Sequence, residues 1–288
     1  MKPAPYKYHD PETVDDLVGL LGDLEDAKIL AGGQSLMPML NMRFLLPEHL
    51  IDINKIAELR FTNNDNGTLH IGAMTRQRDL LSSEEVRQHC PIMSEALRLV
   101  GHFQTRNRGT MGGSLCHLDP AAELPAIACL YNASLNIKGP DGERRIGFAE
   151  WPLAYMMPNI APEEVLTSIE IPYWREPHGY ALVEFARRHG DFAIVAVACL
   201  LALDGSGLIA KAALSVAGAT KTPIRLSDVE KALIGEKADN AAFSAAAASA
   251  RNLDTMSDAY YPAAYRQRLV GVLVERALAQ AAERARGA

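Results

Sequence analysis

The chain has 288 residues, of which 48% are hydrophobic and 22% are charged, and its formal net charge is −6. This composition is typical of a globular protein with one large or two ordinary domains, and it lacks the basic footprint of nucleic-acid-binding proteins. No apolar run approaches the ~18 residues that span a membrane. Because residues 1–5 also lack the hydrophobic core of a signal peptide, we expect a cytoplasmic protein.

Strand and helix signals alternate in the first part of the chain. Asp10 and Pro11 form a capping pair that predicts the start of the first helix. Gly101 is placed to end a later helix. The predicted strands are residues 28–30, 50–53, 68–73, 134–138, 143–146 and 165–171, and the later predicted helices are residues 91–100 and 121–130.

The order of the predicted elements changes near residues 173–178. Before this point strands and helices alternate, and after it three strands are followed by three helices. This order is typical of an α+β domain, so we place a domain boundary near residue 176. The predicted strands are residues 180–186, 193–203 and 208–217, and the predicted helices are residues 227–234, 239–251 and 262–285.

The cysteines and histidines do not predict a metal site. Cys90, Cys116, Cys129 and Cys199 include no C-x-x-C pair, and the eight histidines show no H-E-x-x-H spacing. Cys129 and Cys199 lie in apolar runs and are interpreted as small core residues. We therefore expect neither a zinc site nor an iron–sulfur cluster in this chain.

Two short segments each place a glycine pair beside a hydroxyl residue. The first glycine segment is residues 31–35 and the second is residues 110–114, and both are interpreted as loops. Glycine permits positive φ and close backbone approach, so successive N–H groups can form an anion-binding nest. An isolated glycine pair is also common in structural turns. Two such segments without a Walker lysine or a G-x-G-x-x-G motif favour a diphosphate held between neutral donors.

The motifs around these segments resemble the FAD-binding medium subunit of the molybdenum hydroxylases, the family of carbon monoxide dehydrogenase, xanthine dehydrogenase and bacterial N-heterocycle hydroxylases. The matching patterns are A-G-G-x-S-L-x-P from Ala31, R-x-x-G-T-x-G-G-S from Arg106 and D-P-A-x-E-x-P from Asp119. Residues 162–172 resemble the strand that closes the family's flavin domain. Residues 185–193 resemble the start of its C-terminal domain.

The resemblance implies an α+β fold with two domains. Residues 1–176 would form an FAD-binding domain of the vanillyl-alcohol-oxidase (PCMH) type, with subdomains at about 1–55 and 56–176. Residues 177–288 would form a C-terminal domain like that of the carbon monoxide dehydrogenase flavoprotein. We expect that small α+β domain to contain a three-stranded antiparallel sheet and helices.

The resemblance also implies one noncovalent FAD, with its pyrophosphate held by the two glycine segments. Glu123 would lie near the adenine-side ribose, Phe192 near the flavin ring, and Gly101 where the backbone passes the cofactor. The implied cofactor-binding residues are Leu30, Ala31, Gly32, Gly33, Gln34, Ser35, Leu36, Gly101, Thr110, Met111, Gly112, Gly113, Ser114, Glu123 and Phe192. No catalytic residue is assigned.

Several of these residues also have plain structural interpretations. Glu123 could be a favourable charge at a helix N-terminus, Phe192 a core residue and Gly101 a helix stop. Glu184 stands where a basic residue is common in the family, and His117 replaces a smaller or amide residue. Gln34, rather than histidine, occupies the first glycine segment, so covalent flavin attachment is not expected.

By resemblance the chain is an oxidoreductase subunit that passes electrons from [2Fe–2S] clusters through FAD to an external acceptor. The clusters and the molybdenum cofactor would lie on a small and a large partner subunit, in a dimer of heterotrimers. The expected substrate class of the complex is an N-heteroaromatic compound. A stand-alone flavin oxidase or dehydrogenase is a second hypothesis. A non-catalytic nucleotide-binding module is a third, which a yellow purified protein would exclude.

Overall fold

The computed structural model describes residues 1–287, which form three successive layers. The first layer is a three-stranded parallel sheet in which the middle strand, β3, pairs with both neighbours. Its elements are Lys7–His9 (β1), Val14–Asp23 (α1), Ala27–Leu30 (β2), Leu36–Asn41 (α2) and His49–Asp52 (β3).

Helix α1 begins at Val14, so the start predicted at Pro11 was wrong. Thr13 is the N-terminal cap, because its hydroxyl oxygen accepts a hydrogen bond from the backbone N–H of Asp16 at 3.1 Å. Asp10 instead forms an ion pair with Lys55, with 2.6 Å between Oδ2 and Nζ. The local capping hydrogen bond therefore decides the helix start.

The second layer is a five-stranded antiparallel sheet in the order β4-β5-β10-β6-β7, covered by helices. Its core includes the fully buried Trp151, whose Nε1 donates to the carbonyl oxygen of Leu115 at 2.9 Å. Its elements are Thr62–Asp65 (β4), Thr68–Gly72 (β5), Gln77–Ser82 (α3), Glu84–His89 (α4), Pro91–Leu99 (α5), Phe103–Arg108 (α6), Met111–His117 (α7), Glu123–Leu130 (α8), Ser134–Gly139 (β6), Gly142–Gly147 (β7), Pro152–Ala154 (β8), Met157–Pro158 (β9) and Val165–Pro172 (β10).

The third layer contains the three long antiparallel strands that were predicted, followed by helices. A two-residue strand, β14, extends this sheet by pairing with Ser215 and Val216, and it is too short to leave a periodic signal in the sequence. The elements are Gly179–Phe185 (β11), Val195–Leu203 (β12), Ile209–Ala217 (β13), Ile224–Arg225 (β14), Ser227–Leu233 (α9), Asn240–Ala250 (α10) and Ala263–Ala285 (α11).

Helix α11 lies across the third-layer sheet and approaches β11 very closely at Gly179. A Cβ atom on Gly179 would overlap the backbone of Ala281 and Ala285 in α11. This contact requires a residue without a side chain. Although α11 has 23 residues, no helix within residues 1–287 is long and apolar enough to cross a membrane.

Helix α8 belongs to the core of the second layer and is also bonded to the third. The hydroxyl of Ser215 donates to the carbonyl oxygen of Ala126 at 2.9 Å, and Arg225 Nη1 donates to that of Leu130 at 2.7 Å. Ala126 also packs in a small cluster with alanines of the third layer, Ala193, Ala196 and Ala217. Helix α8 therefore forms part of the interface between the second and third layers.

We expect Gly179→Ala to lower the free energy of unfolding by about 1–3 kcal/mol, the usual cost of overpacking, because α11 must move away from β11. Gly205→Ala is the matched control, since nothing lies within 4 Å of a Cβ at that glycine. Urea unfolding followed by circular dichroism measures both variants. Equal stability of the two would contradict the proposed close contact.

Candidate functional site

A cavity of about 860 Å³ lies where the three layers meet. The first layer contributes the first glycine segment, the second layer contributes the N-terminal part of α7, and the third contributes residues 190–192. This volume is in the upper part of the range of cofactor and ligand pockets. The cavity is therefore the candidate functional site.

The first glycine segment joins β2 to α2 and presents free backbone donors. Gly33 has a φ of +71°, a conformation that favours glycine. Within the described chain, the backbone N–H groups of residues 32–35 donate to no protein acceptor, and the hydroxyl of Ser35 does not cap α2. These unpaired donors line the cavity and are suited to an anionic group such as a diphosphate.

The second glycine segment is the start of helix α7, not the loop that was predicted. Thr110 caps the helix by accepting a hydrogen bond from the N–H of Gly113 at 3.0 Å. The N–H of Gly112 donates to the carbonyl oxygen of Ala73 at 2.8 Å, and that of Met111 donates to Thr75 at 3.1 Å. These N–H groups are thus already bonded within the protein. Glycine costs about 1 kcal/mol relative to alanine inside a helix, so the pair was interpreted as a loop.

Glycines in both segments allow the chain to pack unusually closely. A Cβ on Gly112 would lie 2.6 Å from the Cβ of Ala73, and a Cβ on Gly32 would overlap the carbonyl oxygen of Arg108. A Cβ on Gly113 would lie 3.7 Å from that of Ala31. The first glycine segment supplies donors, while the second braces it.

Arg76 and Asn54 hold the two glycine segments together by hydrogen bonds. The guanidinium of Arg76 donates to the side-chain oxygen of Asn54 and to the carbonyl oxygen of Arg108, just before the second segment. Asn54 Nδ2 donates in turn to the carbonyl oxygen of Ala31 at 2.9 Å. This network fixes the separation of the two cavity walls. Sequence reasoning missed it because neither residue belongs to a recognisable motif.

The structure brings most of the predicted site residues to the cavity. Leu30 and Met111 do not line it: Met111 is fully buried in the core, and Leu30 lies half-buried beside Gly33. The predicted residues that line the cavity are Ala31, Gly32, Gly33, Gln34, Ser35, Leu36, Gly101, Thr110, Gly112, Gly113, Ser114, Glu123 and Phe192.

The second and third layers touch at one end of the cavity. Gly101 and Gly190 both have positive φ, and a Cβ on Gly190 would lie 3.1 Å from the carbonyl oxygen of Gly101. Phe192 follows Gly190 and is 58% exposed while it lines the cavity, so it is not a core residue. An aromatic side chain is therefore available to a planar ligand here.

Glu123 is the first residue of α8 and is only 4% exposed. Burial, opposed by a hydrogen bond from its own backbone N–H and reinforced by the negative charges of Glu184 and Asp119, raises its pKa to about 8. A charge at a helix N-terminus would instead be favoured by the helix dipole. Burial outweighs that effect, so the environment of Glu123 favours the neutral acid.

Other cavity residues were not predicted as ligand contacts. Burial lowers the pKa of His117, partly opposed by the charge of Asp119, and burial raises the pKa of the Cys116 thiol to about 12. Met156 and Pro158, in the β8–β9 hairpin, line the cavity without any periodic or polar signal in the sequence. Across residues 1–287, no group of three or more His, Cys, Asp or Glu side chains is arranged to hold a metal ion.

Comparisons with known proteins match this architecture over the whole chain. Residues 4–174 match the FAD binding domain in molybdopterin dehydrogenase, and residues 180–281 match the CO dehydrogenase flavoprotein C-terminal domain. The chain is 39% identical, over 99% of its length and 97% of the relative, to the 6-hydroxypseudooxynicotine dehydrogenase complex subunit alpha of Paenarthrobacter nicotinovorans.

Solved structures agree with these matches. A chain of carbon monoxide dehydrogenase from Hydrogenophaga pseudoflava superposes with a TM-score of 0.95 at 37% identity, covering 99% of both chains. A chain of quinoline 2-oxidoreductase from Pseudomonas putida 86 gives a TM-score of 0.95 at 30% identity, also covering 99% of both. A family match over more than half of the chain, together with these full-length similarities, shows that the chain belongs to the FAD-binding medium subunits of the molybdenum hydroxylases.

Proposed function

We propose that this chain holds one noncovalent FAD in the cavity and carries electrons from partner [2Fe–2S] clusters to an external acceptor. The observation that carries the proposal is the set of free N–H donors of residues 32–35 in a cavity built by all three layers. When bound, FAD supplies one- and two-electron chemistry, while the protein supplies binding and orientation.

In this proposal, different residues of the cavity bind different parts of FAD. The N–H groups of residues 32–35 and the hydroxyl of Ser35 would bind the diphosphate, and the braced helix α7 would keep them in place. Phe192 would lie against the flavin ring. Gln34, at the site where covalent attachment would need a histidine, supports noncovalent binding.

We propose that the chain works with a small iron–sulfur subunit and a large molybdenum subunit, in a dimer of heterotrimers. The names of the relatives as complex subunits support partner subunits. Large apolar side chains that stay exposed also support partner contacts, since such patches mark protein interfaces. These side chains are Met42, Phe44 and Leu46 after α2, and Leu153, Tyr155 and Met157 in the β8–β9 hairpin.

The expected substrate class of the complex is an N-heteroaromatic compound. One similar protein is named for a nicotine derivative and another for quinoline, both of which contain a nitrogen heterocycle. In this proposal the large subunit binds and oxidises the substrate, and the present chain transfers the electrons to the external acceptor. The cavity residues described above would thus contact FAD and not the substrate.

Affinity purification of the chain from its native source tests the proposed role. We expect two further polypeptides to co-purify, with iron and molybdenum in the complex, and we expect the complex to hydroxylate an N-heteroaromatic compound such as quinoline. The isolated chain should bind FAD and hydroxylate nothing. Hydroxylation by the pure chain, free of metal, would establish a stand-alone flavoenzyme instead.

We expect Ser35→Glu to raise the dissociation constant for FAD at least about tenfold, which corresponds to about 1.4 kcal/mol, because a carboxylate would repel the diphosphate. Acid treatment first removes the bound FAD to give apoprotein. FAD is then added to this apoprotein, and the quenching of its fluorescence measures the dissociation constant. Ser249→Glu, exposed on α10, is the control and should bind normally. Unchanged affinity in Ser35→Glu would rule out this segment as the diphosphate site.

We expect Phe192→Ala to change the flavin absorption spectrum and midpoint potential while leaving thermal stability nearly unchanged. The side chain is 58% exposed, so its removal lacks the 3–5 kcal/mol cost that is roughly typical of a core phenylalanine. Phe103→Ala is a matched control, because Phe103 is 62% exposed and does not line the cavity. A wild-type spectrum and potential in Phe192→Ala would refute the ring contact.

A further inference from the structure

Two carboxyl groups, one on a buried residue and one on a half-buried residue, lie on either side of the contact between α8 and the third-layer sheet. Glu123 begins α8 and lines the cavity, and Glu184 is in β11. Glu123 is 4% exposed. Among residues 1–287, Oε2 of Glu184 is buried and has no hydrogen-bond partner. A buried carboxyl oxygen without a partner is costly, which calls for an explanation.

Strand register places Glu184 on the face of the sheet that contacts α8. Glu184 is directly opposite Ala196 in the β11–β12 ladder, and side chains at opposite positions share one face of a sheet. Ala196 packs against Ala126 of α8. Ala126 follows Glu123 by three residues, so both lie on the same side of the helix. The two carboxyl groups therefore face the same region.

The surroundings add negative rather than positive charge to this region. Asp119 precedes α8 and raises the pKa of Glu123, and Asp191 and His117 line the same cavity, with the pKa of His117 lowered by burial. The one lysine among the described cavity residues, Lys28 of β2, is exposed and is not among the groups that shift the pKa of Glu123. The other charged groups on elements packed against α8 are either in ion pairs or exposed. The ion pairs are Arg225–Glu230, Lys211–Glu176 and Arg284–Glu95, and the exposed groups are Arg98 and Glu150.

Two carboxylates cannot both ionise cheaply in such a region. Burial raises the pKa of Glu184 to about 7, and burial raises that of Glu123 to about 8. Because the charge on Glu184 contributes to the raised pKa of Glu123, ionisation of one group opposes ionisation of the other. The pair keeps a proton at neutral pH.

We infer that Glu123 binds FAD as a neutral carboxylic acid that donates a hydrogen bond, and that Glu184 is the positioning residue that maintains this form. The inference rests on the proposed FAD site and adds the protonation state of its acidic contact. A neutral donor suits a cofactor with a negatively charged diphosphate, whereas a carboxylate would add like charge to the same cavity.

This arrangement makes FAD affinity depend on pH in a defined direction. As pH rises through the pKa of Glu123, the group loses the proton that it donates and gains a negative charge. Affinity is therefore highest below this pKa and falls above it. Without the charge of Glu184, Glu123 ionises at lower pH, so the fall in affinity moves to lower pH.

Titration of the full-length apoprotein with FAD at about pH 6.5 to about pH 9, followed by flavin fluorescence, tests the inference. For the wild type we expect the dissociation constant to rise about tenfold for each pH unit above the pKa of Glu123. Glu123→Gln keeps a neutral donor, so its affinity should match the wild type at low pH and stay constant. Glu184→Gln should show the rise at lower pH than the wild type. Glu150→Gln, exposed near α8, is the control and should follow the wild type.

The outcomes separate the two levels of the proposal. Weak binding by Glu123→Gln at every pH would mean that the carboxylate is needed as an acceptor and would overturn the inference. A wild-type profile in Glu184→Gln would overturn the role of Glu184. If Glu123→Gln does not fold, infrared difference spectra of FAD binding to the wild type test the protonation state of Glu123 instead. The inference requires a C=O band of a protonated carboxyl group in these spectra, and this band must vanish at high pH. Failure of the wild type to bind FAD at any pH would instead refute the proposed FAD site.

Discussion

The candidate site depends on the close packing of both glycine segments against neighbouring backbone, which leaves no space for a side chain at Gly32 or Gly112. Gly32 meets the backbone of Arg108, and Gly112 meets Ala73. Because the N–H groups at the start of α7 are bonded within the second layer, that helix is a fixed support. The first segment is held against it with its own N–H groups free. The asymmetry between a bonded and an unbonded segment leaves backbone N–H donors free at the cavity, and such donors suit an anion.

The remaining parts of the cavity come from elements that also hold the second and third layers together. Glu123 begins helix α8, which belongs to the core of the second layer and contacts the third, and Phe192 precedes a strand whose interior is buried. Gly101 and Gly190 bring the second and third layers into contact at one end. A ligand in this cavity therefore touches all three layers, as expected for a large, extended cofactor such as FAD. Family membership and cavity geometry thus agree on the kind of molecule that is bound.

Sequence reasoning predicted the elements whose apolar periodicity is strong and failed where one local contact decides the structure. The three long strands of the third layer and helix α11 were predicted within a few residues because their burial pattern extends over many positions. The start of α1 was misplaced because Thr13, not Asp10, makes the capping hydrogen bond. The glycine pair of α7 was interpreted as a loop because intrinsic propensity disfavours glycine in helices, whereas packing against Ala73 requires it. The bridge from Arg76 to Asn54 has no sequence signature at all.

Helix α8 has a consequence for how the chain folds and is assembled. Its carbonyl groups at Ala126 and Leu130 are bonded by Ser215 and Arg225 of the third layer. Detaching that layer would break these hydrogen bonds and expose an alanine-lined surface to water, which is unfavourable. The second and third layers should consequently unfold as one cooperative unit, so that no stable intermediate retains only the N-terminal portion. A nascent chain would then be unable to complete its cofactor site until β13 and β14 had been synthesised.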